Sequence, residues 1–126
     1  MFDQGSRTAF RGTAEAFAFD AAGEELALEV INKGWFFEKF LPVERQTVIL
    51  PLLHSENIQA HNIAAEYANR LCEGVEDPEL SQFFKGVPFF LAEHSKVIAK
   101  YGRFPSRNAA LVRHSLSNVI RVFCAV

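Results

Sequence analysis

The amino-acid sequence predicts an all-α fold, an antiparallel array of helices, from three observations. Apolar residues recur at steps of three and four over several stretches, which is the spacing of one helix face. Residues that favour helix ends stand at the borders of those stretches. No alternating apolar segment is paired with a second one across a hairpin turn, so fold classes that contain a β-sheet are disfavoured.

The front of the chain is predicted to be irregular before the first helix begins. Residues 1–19 carry two glycines and show no sustained periodicity. Asp20 is of a type that caps helix N-termini, and strong helix formers fill positions 21–33. Gly34 follows them as a residue that ends helices in the left-handed conformation. The sequence therefore predicts an irregular lead-in and then a helix over 21–33.

The central helices are predicted from two prolines and one amphipathic stripe. Pro42 suits the first turn of a helix, which is expected to run to about residue 50 because Pro51 lacks the next backbone N–H. Ser55 is predicted to cap the following helix, over residues 55–72. One face of that helix carries apolar residues and histidines at helical spacing, namely His54, Ile58, His61, Ala65, Ala68 and Cys72.

The second half of the chain holds one long helical pattern that glycine and proline interrupt. Asp77 and Pro78 form a pair that is typical of a helix start. Helical spacing then persists over residues 78–101, but Gly86 and Pro88 are expected to divide this stretch in two. Two helices are therefore predicted where the apolar pattern alone would suggest one.

The end of the chain is predicted to hold a loop and a short helix. Residues 102–108 contain glycine, proline, serine and asparagine close together, which is typical of a loop. Ser115 is expected to cap a final helix. Because 126 residues is the usual size of one domain, residues 1–126 are predicted to form a single helical domain.

Charge and hydropathy disfavour several classes of partner. The formal net charge is -2 without a long block of one sign, which argues against a nucleic-acid-binding surface. No apolar run approaches the roughly 20 residues that cross a bilayer, and no basic start precedes an apolar segment. Cys72 and Cys124 match no metal-binding or redox spacing. We therefore predict a cytoplasmic protein without membrane contact, metal or other cofactor.

Three adjacent polar residues, His54, Ser55 and Glu56, are the first candidates for chemistry. The members of a nucleophilic triad normally converge from separate parts of a fold, so Ser55 is interpreted as a helix cap rather than a nucleophile. His54 and His61 lie seven residues apart, about 10 Å along a helix, which is too far for both to bind one metal ion. His54 and Glu56 stay candidates for acid–base catalysis, and no metal site is predicted.

His94 and two arginines are the other candidates. His94 lies on the apolar face of its helix, where a buried, hydrogen-bonded histidine and a general base are competing interpretations. Arg103 and Arg107 lie four residues apart in the Gly/Pro loop, where two guanidinium groups suit a carboxylate or a phosphate. The structural alternative is that these arginines bind carbonyls at helix C-termini or pair with Glu56 and Asp3.

Three segments of the sequence together resemble one known family. They are residues 3–20 (DQGSRTAFRGTAEAFAFD), residues 50–56 (LPLLHSE) and residues 92–111 (AEHSKVIAKYGRFPSRNAAL). In these motifs the chain is similar to a bacterial family of domains of unknown function, number nine-two-four in that series. The resemblance implies a tetratricopeptide-like helical fold and no established activity. Arg7 and Asn108 lie in these segments and join the two loop arginines as candidate ligand-binding residues.

The chain departs from the family pattern at several positions. Gly5 and Ser6 stand where the family has a Phe-Pro pair, Ser106 stands where it has a histidine, and His61 stands where it has a glutamine. The family has further helices, some with tryptophan, before its Asp-Gln motif, whereas this chain begins at that motif. Residues 116–126 are unusually apolar for a family-like ending. The resemblance therefore predicts a truncated member.

Three functions are compatible with these residues. The first is a binding module that holds a peptide carboxylate or another small anion at the arginine loop. The second is an enzyme in which His54 or His94 acts as acid or base, Glu56 orients it, and arginines hold an anionic substrate. The third is a fragment without independent function, because its helical array lacks the front. The first two need the His-Ser-Glu turn and the arginine loop to face each other across packed helices, and no oligomeric state is predicted.

Overall fold

The computed structural model describes the backbone of residues 2–113 and the side chains of residues 5–113. Within that part, the chain forms helices and no β-strand, so the all-α prediction is confirmed. The helices are α1 (Phe2–Ala9), α2 (Asp20–Asn32), α3 (Trp35–Glu38), α4 (Pro42–Leu53), α5 (Ile58–Asn69), α6 (Pro78–Phe84) and α7 (Gly86–Tyr101), with 3-10 helices at Ala14–Phe17 and Pro105–Arg107. The tetratricopeptide-like arrangement stays a prediction.

The core lies where α4 packs against α2 and α5, and α5 in turn packs on α7. Its largest fully buried apolar side chains are Phe36, Phe84, Leu52 and Leu71, whereas Phe104 packs in a second cluster with Val97 and Ile98. Arg45 is buried beside this core and donates to the carbonyls of Phe36 at 3.0 Å and Glu73 at 2.9 Å. Because the guanidinium group meets carbonyl groups there, its burial is compensated by hydrogen bonds.

Helix α1 corrects the prediction that residues 1–19 are irregular. At eight residues it is too short to be stable alone, so contacts with later segments must stabilise it. The buried Ser6 hydroxyl donates to the Ala16 carbonyl at 3.0 Å, and Arg7 binds the carboxylate of Asp20. The contacts that stabilise this helix lie 10 and 13 residues further along the chain, beyond the reach of helix-capping signals.

The start of α2 differs from the prediction, whereas its end agrees. Phe19 precedes the helix and Asp20 is its first residue, so the prediction that Asp20 is the N-cap is wrong. The carboxylate of Asp20 is instead occupied by arginine side chains. Gly34 follows the helix with a φ of 73°, a left-handed conformation that glycine adopts without a steric cost. The predicted helix end before Gly34 is therefore confirmed.

Helix α4 continues through Pro51 to Leu53, so the prediction that it ends near residue 50 is wrong. Pro51 is buried against α2, where a Cβ atom added to Gly23 would lie 3.4 Å from the Pro51 Cβ. Proline removes one backbone hydrogen bond near the helix end, but this close packing of α2 on α4 offsets the loss. A Cβ atom at position 23 would make an ordinary van der Waals contact with the Pro51 ring, so the two helices lie in direct contact here.

Helix α5 begins later than predicted, because Asn57 rather than Ser55 is its N-cap. The Asn57 side chain accepts a hydrogen bond from the Gln59 amide at 3.0 Å, and the Ser55 hydroxyl accepts one from the Asn57 amide at 3.0 Å. Ser55 and Asn57 therefore each accept a hydrogen bond from a backbone amide two residues further along the chain at this helix start. The helix spans Ile58–Asn69 rather than residues 55–72, since both ends of the predicted stripe lie in turns.

The stretch over residues 78–101 is divided in two, as predicted, with Lys85 between α6 and α7. Asp77 caps α6, because its carboxylate accepts from the amides of Glu79 at 2.8 Å and Leu80 at 3.2 Å. Pro88 lies in the first turn of α7, where the missing N–H has no intrahelical partner in any case. The break therefore follows from a second helix start rather than from a kink at proline.

The loop predicted for residues 102–108 contains the short 3-10 helix Pro105–Arg107. Helix α7 ends before Gly102, and the chain then turns back towards α4 and α5, as the hydrogen bonds described below show. The helix cap predicted at Ser115 lies outside the described residues. None of the helices within the described part is both long and apolar enough to cross a membrane.

Candidate functional site

Two arginines from distant parts of the chain share one carboxylate. Arg7 of α1 donates from both terminal nitrogens to Asp20, at 2.7 Å to Oδ1 and 2.8 Å to Oδ2. Arg107, in the 3-10 helix after α7, donates from Nη1 to Asp20 Oδ2 at 3.0 Å. Asp20 is the first residue of α2, so the positive end of the helix dipole lies at the same place. We call Arg7, Asp20 and Arg107 the arginine cluster.

Arg107 is almost completely buried, and its guanidinium group lies between two aromatic rings. Its Cζ atom is 4.6 Å from the ring centre of Phe17 and 4.7 Å from that of Phe104. Nη2 donates at 2.8 Å to the carbonyl of His54, the C-cap residue that follows α4. Nε is buried and has no hydrogen-bond partner among the described residues. Such a donor is unusual, because its desolvation costs free energy that no hydrogen bond offsets.

Neighbouring groups act on the charge of Arg107 in opposite directions. Burial lowers the pKa of Arg107, the carboxylate of Asp20 raises it, and the charge of Arg7 lowers it again. An arginine remains protonated at neutral pH under such conditions. The cluster therefore holds two guanidinium cations beside one carboxylate, with one of the cations deep in the protein.

The His-Ser-Glu turn meets the arginine loop through Glu56. Glu56 Oε1 accepts from the backbone amide of Phe104 at 2.8 Å, and both carboxylate oxygens accept from Arg113, at 2.6 Å and 2.9 Å. Burial alone would raise the pKa of Glu56, but the hydrogen bonds from Arg113 and Phe104, with the charges of Arg113 and Arg107, lower it below its usual value. Glu56 is therefore ionised at neutral pH and joins the two loops.

The His-Ser-Glu turn and the arginine loop face each other, as the sequence predicts. The arginine contacts match in part the alternative that these side chains bind helix C-terminal carbonyls or pair with Glu56 and Asp3. Arg107 binds the carbonyl at the C-terminus of α4, but its carboxylate partner is Asp20 rather than Glu56. The partner of Glu56 is Arg113, which the sequence did not single out. The side chain of Asp3 lies outside the described residues. Glu56 as the group that orients a catalytic histidine stays a prediction.

His94 lies beside the aromatic ring that covers Arg107. Its Nδ1 is 3.0 Å from the carbonyl of Phe90, and its ring centre is 6.2 Å from that of Phe104. Burial lowers the pKa of His94, the Phe90 carbonyl opposes this, and the charges of His54 and Arg107 lower it further. Since a carbonyl can only accept, the proton of the neutral ring lies on Nδ1 and the lone pair on Nε2. That nitrogen is able to take up a proton.

His61 is a buried polar residue that the sequence placed only on an apolar stripe. Nε2 lies 2.8 Å from the Ser55 carbonyl and Nδ1 lies 2.9 Å from the Ser95 hydroxyl, so the ring bridges α5 and α7. Burial lowers the pKa of His61, the Ser55 carbonyl opposes this, and the charge of His94 lowers it further. The interpretation as a buried, hydrogen-bonded histidine therefore fits His61 better than the half-buried His94.

Replacing His61 with glutamine is expected to make the fold less sensitive to acid. Because the pKa of His61 is lower in the folded than in the unfolded chain, the unfolded state binds more protons below about pH 6.5, and stability falls from there towards the lowered pKa. Glutamine does not titrate, and its amide is able to donate to the Ser55 carbonyl. Urea unfolding at several pH values measures the free energy of unfolding, which should fall less steeply with acid in the variant than in the unaltered protein. The same pH dependence in both proteins would contradict this role of His61.

The other two predicted ligand-binding residues, Arg103 and Asn108, and the acid–base candidate His54 lie outside the arginine cluster. Arg103 is half-buried, and no hydrogen bond or ion pair is found for it in the described part of the chain. Asn108 is buried, and its backbone carbonyl accepts a hydrogen bond from the backbone amide of Arg113 at 2.8 Å. His54 is half-buried, and its carbonyl rather than its ring makes the contact with Arg107 described above. The roles of these residues towards a ligand stay predictions.

Two grooves lie elsewhere on the surface. The larger, of about 520 Å³, runs between α5 and α7 with His61 and Ser95 in its wall. The smaller, of about 160 Å³, lies between α4 and the junction of α6 with α7. Neither is lined by a residue of the arginine cluster. Among the side chains of residues 5–113, no group of three or more His, Cys, Asp or Glu residues is arranged to hold a metal ion.

Comparison with known proteins identifies the family. A search of the curated proteins returns no match. A solved structure, that of the protein of unknown function ATU0120 from Agrobacterium tumefaciens, is similar with a TM-score of 0.70 and 29% sequence identity. The similarity covers 90% of this chain and 57% of that chain, so this chain spans little more than half the length of that protein. The family model described as "Bacterial protein of unknown function (DUF924)" matches residues 1–121, and the chain therefore belongs to that family, as its motifs predict.

Proposed function

We propose that this protein is a binding module for a small anion and that the arginine cluster is its binding site. The observation that supports this most is that one carboxylate, that of Asp20, holds Arg7 and Arg107 side by side. Guanidinium groups that are already fixed lose little conformational freedom on binding, and their planar donors match carboxylates and phosphates. The expected ligands are therefore a phosphate or a carboxylate, including that of a peptide C-terminus.

The burial of the cluster also supports an anion site. The side chain of Arg107 is 5% exposed, whereas those of Arg7 and Asp20 are 18% and 16% exposed, so solvent reaches the cluster from the Arg7 side. Hydrogen bonds to an ion are stronger in such a partly desolvated place than in water. The Arg107 Nε donor, which has no partner within the described residues, would gain one from a ligand oxygen that reaches it.

The proposal also includes the outer ligand contacts, the location of the protein and its domain organisation. Arg103 and Asn108 are proposed as outer contacts for a ligand as large as a peptide, and the cytoplasm is proposed as the location. We also propose that residues 1–126 form one helical domain. The purified chain is then expected to unfold in one cooperative thermal transition, whereas a broad transition would favour the alternative of a fragment without independent function.

Calorimetric titration with phosphate tests the proposal. The Arg7→Gln variant is expected to bind phosphate at least ~10-fold more weakly, because a hydrogen bond to a charged group contributes about 1.5–3 kcal/mol. Arg11→Gln is the matched control, since it removes the same charge from an exposed turn residue and should leave the affinity unchanged. Equal affinities of the two variants, or no saturable binding of phosphate or a small dicarboxylate by the unaltered protein, would rule out the site.

A second candidate function is an enzyme, and the arrangement of His94 favours it. The neutral ring carries its proton on Nδ1, so Nε2 is available as a general base beside a ring that also contacts Arg107. An enzyme of this kind would act on an anionic ester held by the arginine cluster. Turnover of a panel of phosphate and carboxylate esters should then be lost in His94→Gln and retained in His61→Gln.

A further inference from the structure

An exposed apolar surface lies on α6 and the first turns of α7, outside the arginine cluster. Phe83, Phe89 and Phe90 are 66%, 73% and 55% exposed. Because a phenylalanine side chain contributes about 150–250 Å² of surface, the three rings leave on the order of 400 Å² exposed. The largest apolar patch on a typical monomer is about 300–600 Å², and such a patch is often an interaction surface. We call it the phenylalanine face.

A cleft opens on the same surface, between α4 and the junction of α6 with α7. Its volume is about 160 Å³, and its apolar lining is formed by Ile49, Leu50, Leu53, Phe83, Val87 and Phe90. An apolar cavity of about 150 Å³ is known to hold one benzene molecule. The cleft therefore has the size of one phenylalanine side chain and the apolar lining that such a ring requires.

Phe89 is the most exposed ring of the face, and it is not part of the lining of this cleft. It lies three residues after Gly86, which does line the cleft, so the two positions are neighbours on one side of α7. The same surface thus carries both a protruding ring and an opening that fits a ring. In an isologous interface, a two-fold axis places the same patch of two copies face to face, so a patch with a protruding ring and a ring-sized opening suits such pairing.

We propose that the phenylalanine face is a homodimer interface in which Phe89 of each copy fills the cleft of the other. A stable interface buries about 1,200–2,000 Å² in total, and the three rings of two copies supply on the order of half of that. Val43, which is 57% exposed and lies three residues before Gln46 of the cleft, extends the apolar area along α4. This inference does not depend on the anion site.

The mass of the intact chain in solution tests the interface. Sedimentation equilibrium from about 1 to 200 µM is expected to show a dimer of the 14.2 kDa chain with a dissociation constant in or below that range. Phe89→Ser should weaken the dimer at least ~10-fold, since it removes the ring that fills the cleft. Phe10→Ser is the matched control, because Phe10 is 50% exposed but lies in the turn after α1.

A second variant blocks the cleft without changing the protruding ring. A Cβ atom added to Gly86 would meet nothing within 4 Å, so Gly86→Leu is expected to fold normally, occupy the cleft and weaken the dimer as Phe89→Ser does. Circular dichroism melting checks that both variants fold. A monomer at every concentration, a mass that rises without a limit, or equal dimerisation of Phe89→Ser and Phe10→Ser would each overturn the proposal.

Discussion

Replacing Arg107 with alanine is expected to lower the free energy of unfolding by about 4 kcal/mol. The substitution removes the hydrogen bonds to Asp20 and to the His54 carbonyl, and it empties the space between the rings of Phe17 and Phe104. Removing one partner of a buried ion pair costs about 3–5 kcal/mol. Asp20 keeps Arg7 as a partner, but the His54 carbonyl loses its guanidinium donor and a cavity is left between the two rings. The contacts of Arg107 join α2, the end of α4 and the C-terminal loop, so the packing of all three segments should be destabilised by the substitution.

Urea unfolding of the variant at neutral pH measures this loss. Arg103→Ala is the matched control, because it removes the same side chain four residues earlier in the same loop, where no ion pair or hydrogen bond is found among the described residues. That control should stay within about 0.5 kcal/mol of the unaltered protein. Similar losses for the two variants would contradict the structural role of Arg107.

Replacing Asp20 with alanine is expected to cost about 3 kcal/mol and to make stability depend on phosphate. The substitution leaves two guanidinium groups without their shared carboxylate, and one of them is buried. Arg7 and the carboxylate itself are partly exposed, so water compensates some of the loss. A phosphate ion that takes the place of the carboxylate should restore part of the stability by binding only the folded state.

Thermal unfolding of Asp20→Ala in phosphate and in chloride at equal ionic strength measures this rescue. The Tm of the variant should rise more with phosphate than that of the unaltered protein, because the variant offers both arginines to the ion. The Asp20→Ala and Arg107→Ala losses should also be less than additive in the double variant, since the two side chains are in contact. Equal effects of phosphate and chloride on the variant would argue against anion binding at the cluster.

The sequence predicts a helix end correctly where the residues that stop or cap the helix lie next to that end. The stop at Gly34 and the start at Asp77 are confirmed, because left-handed glycine and a capping carboxylate act within a few residues of the helix end. Helix α1 was missed, since its stabilising partners belong to later segments. The predicted break at Pro51 failed for a similar reason, because the packing of its ring on Gly23 cannot be seen in the sequence of one helix.

The sequence singles out Arg7 and Arg107 as candidates, but it does not single out Asp20, the carboxylate that both arginines contact in the structure. Asp20 was interpreted as a helix cap, because capping and ion pairing use the same residue type and the sequence does not distinguish them. Arg113 lacked any local signal, and only its return to Glu56 in the folded chain reveals its role. The buried position of His61 was visible as a place on an apolar stripe, but its hydrogen bonds to two other segments were not.

A crystal structure of the protein soaked with phosphate tests the central claim most directly. We expect a phosphate ion whose oxygens lie about 2.7–2.9 Å from guanidinium nitrogens of both Arg7 and Arg107. The ion should be absent from crystals of Arg7→Gln grown and soaked in the same way. Phosphate bound only elsewhere, or no ion at the cluster at concentrations that saturate binding in solution, would contradict the assignment of the arginine cluster as an anion site.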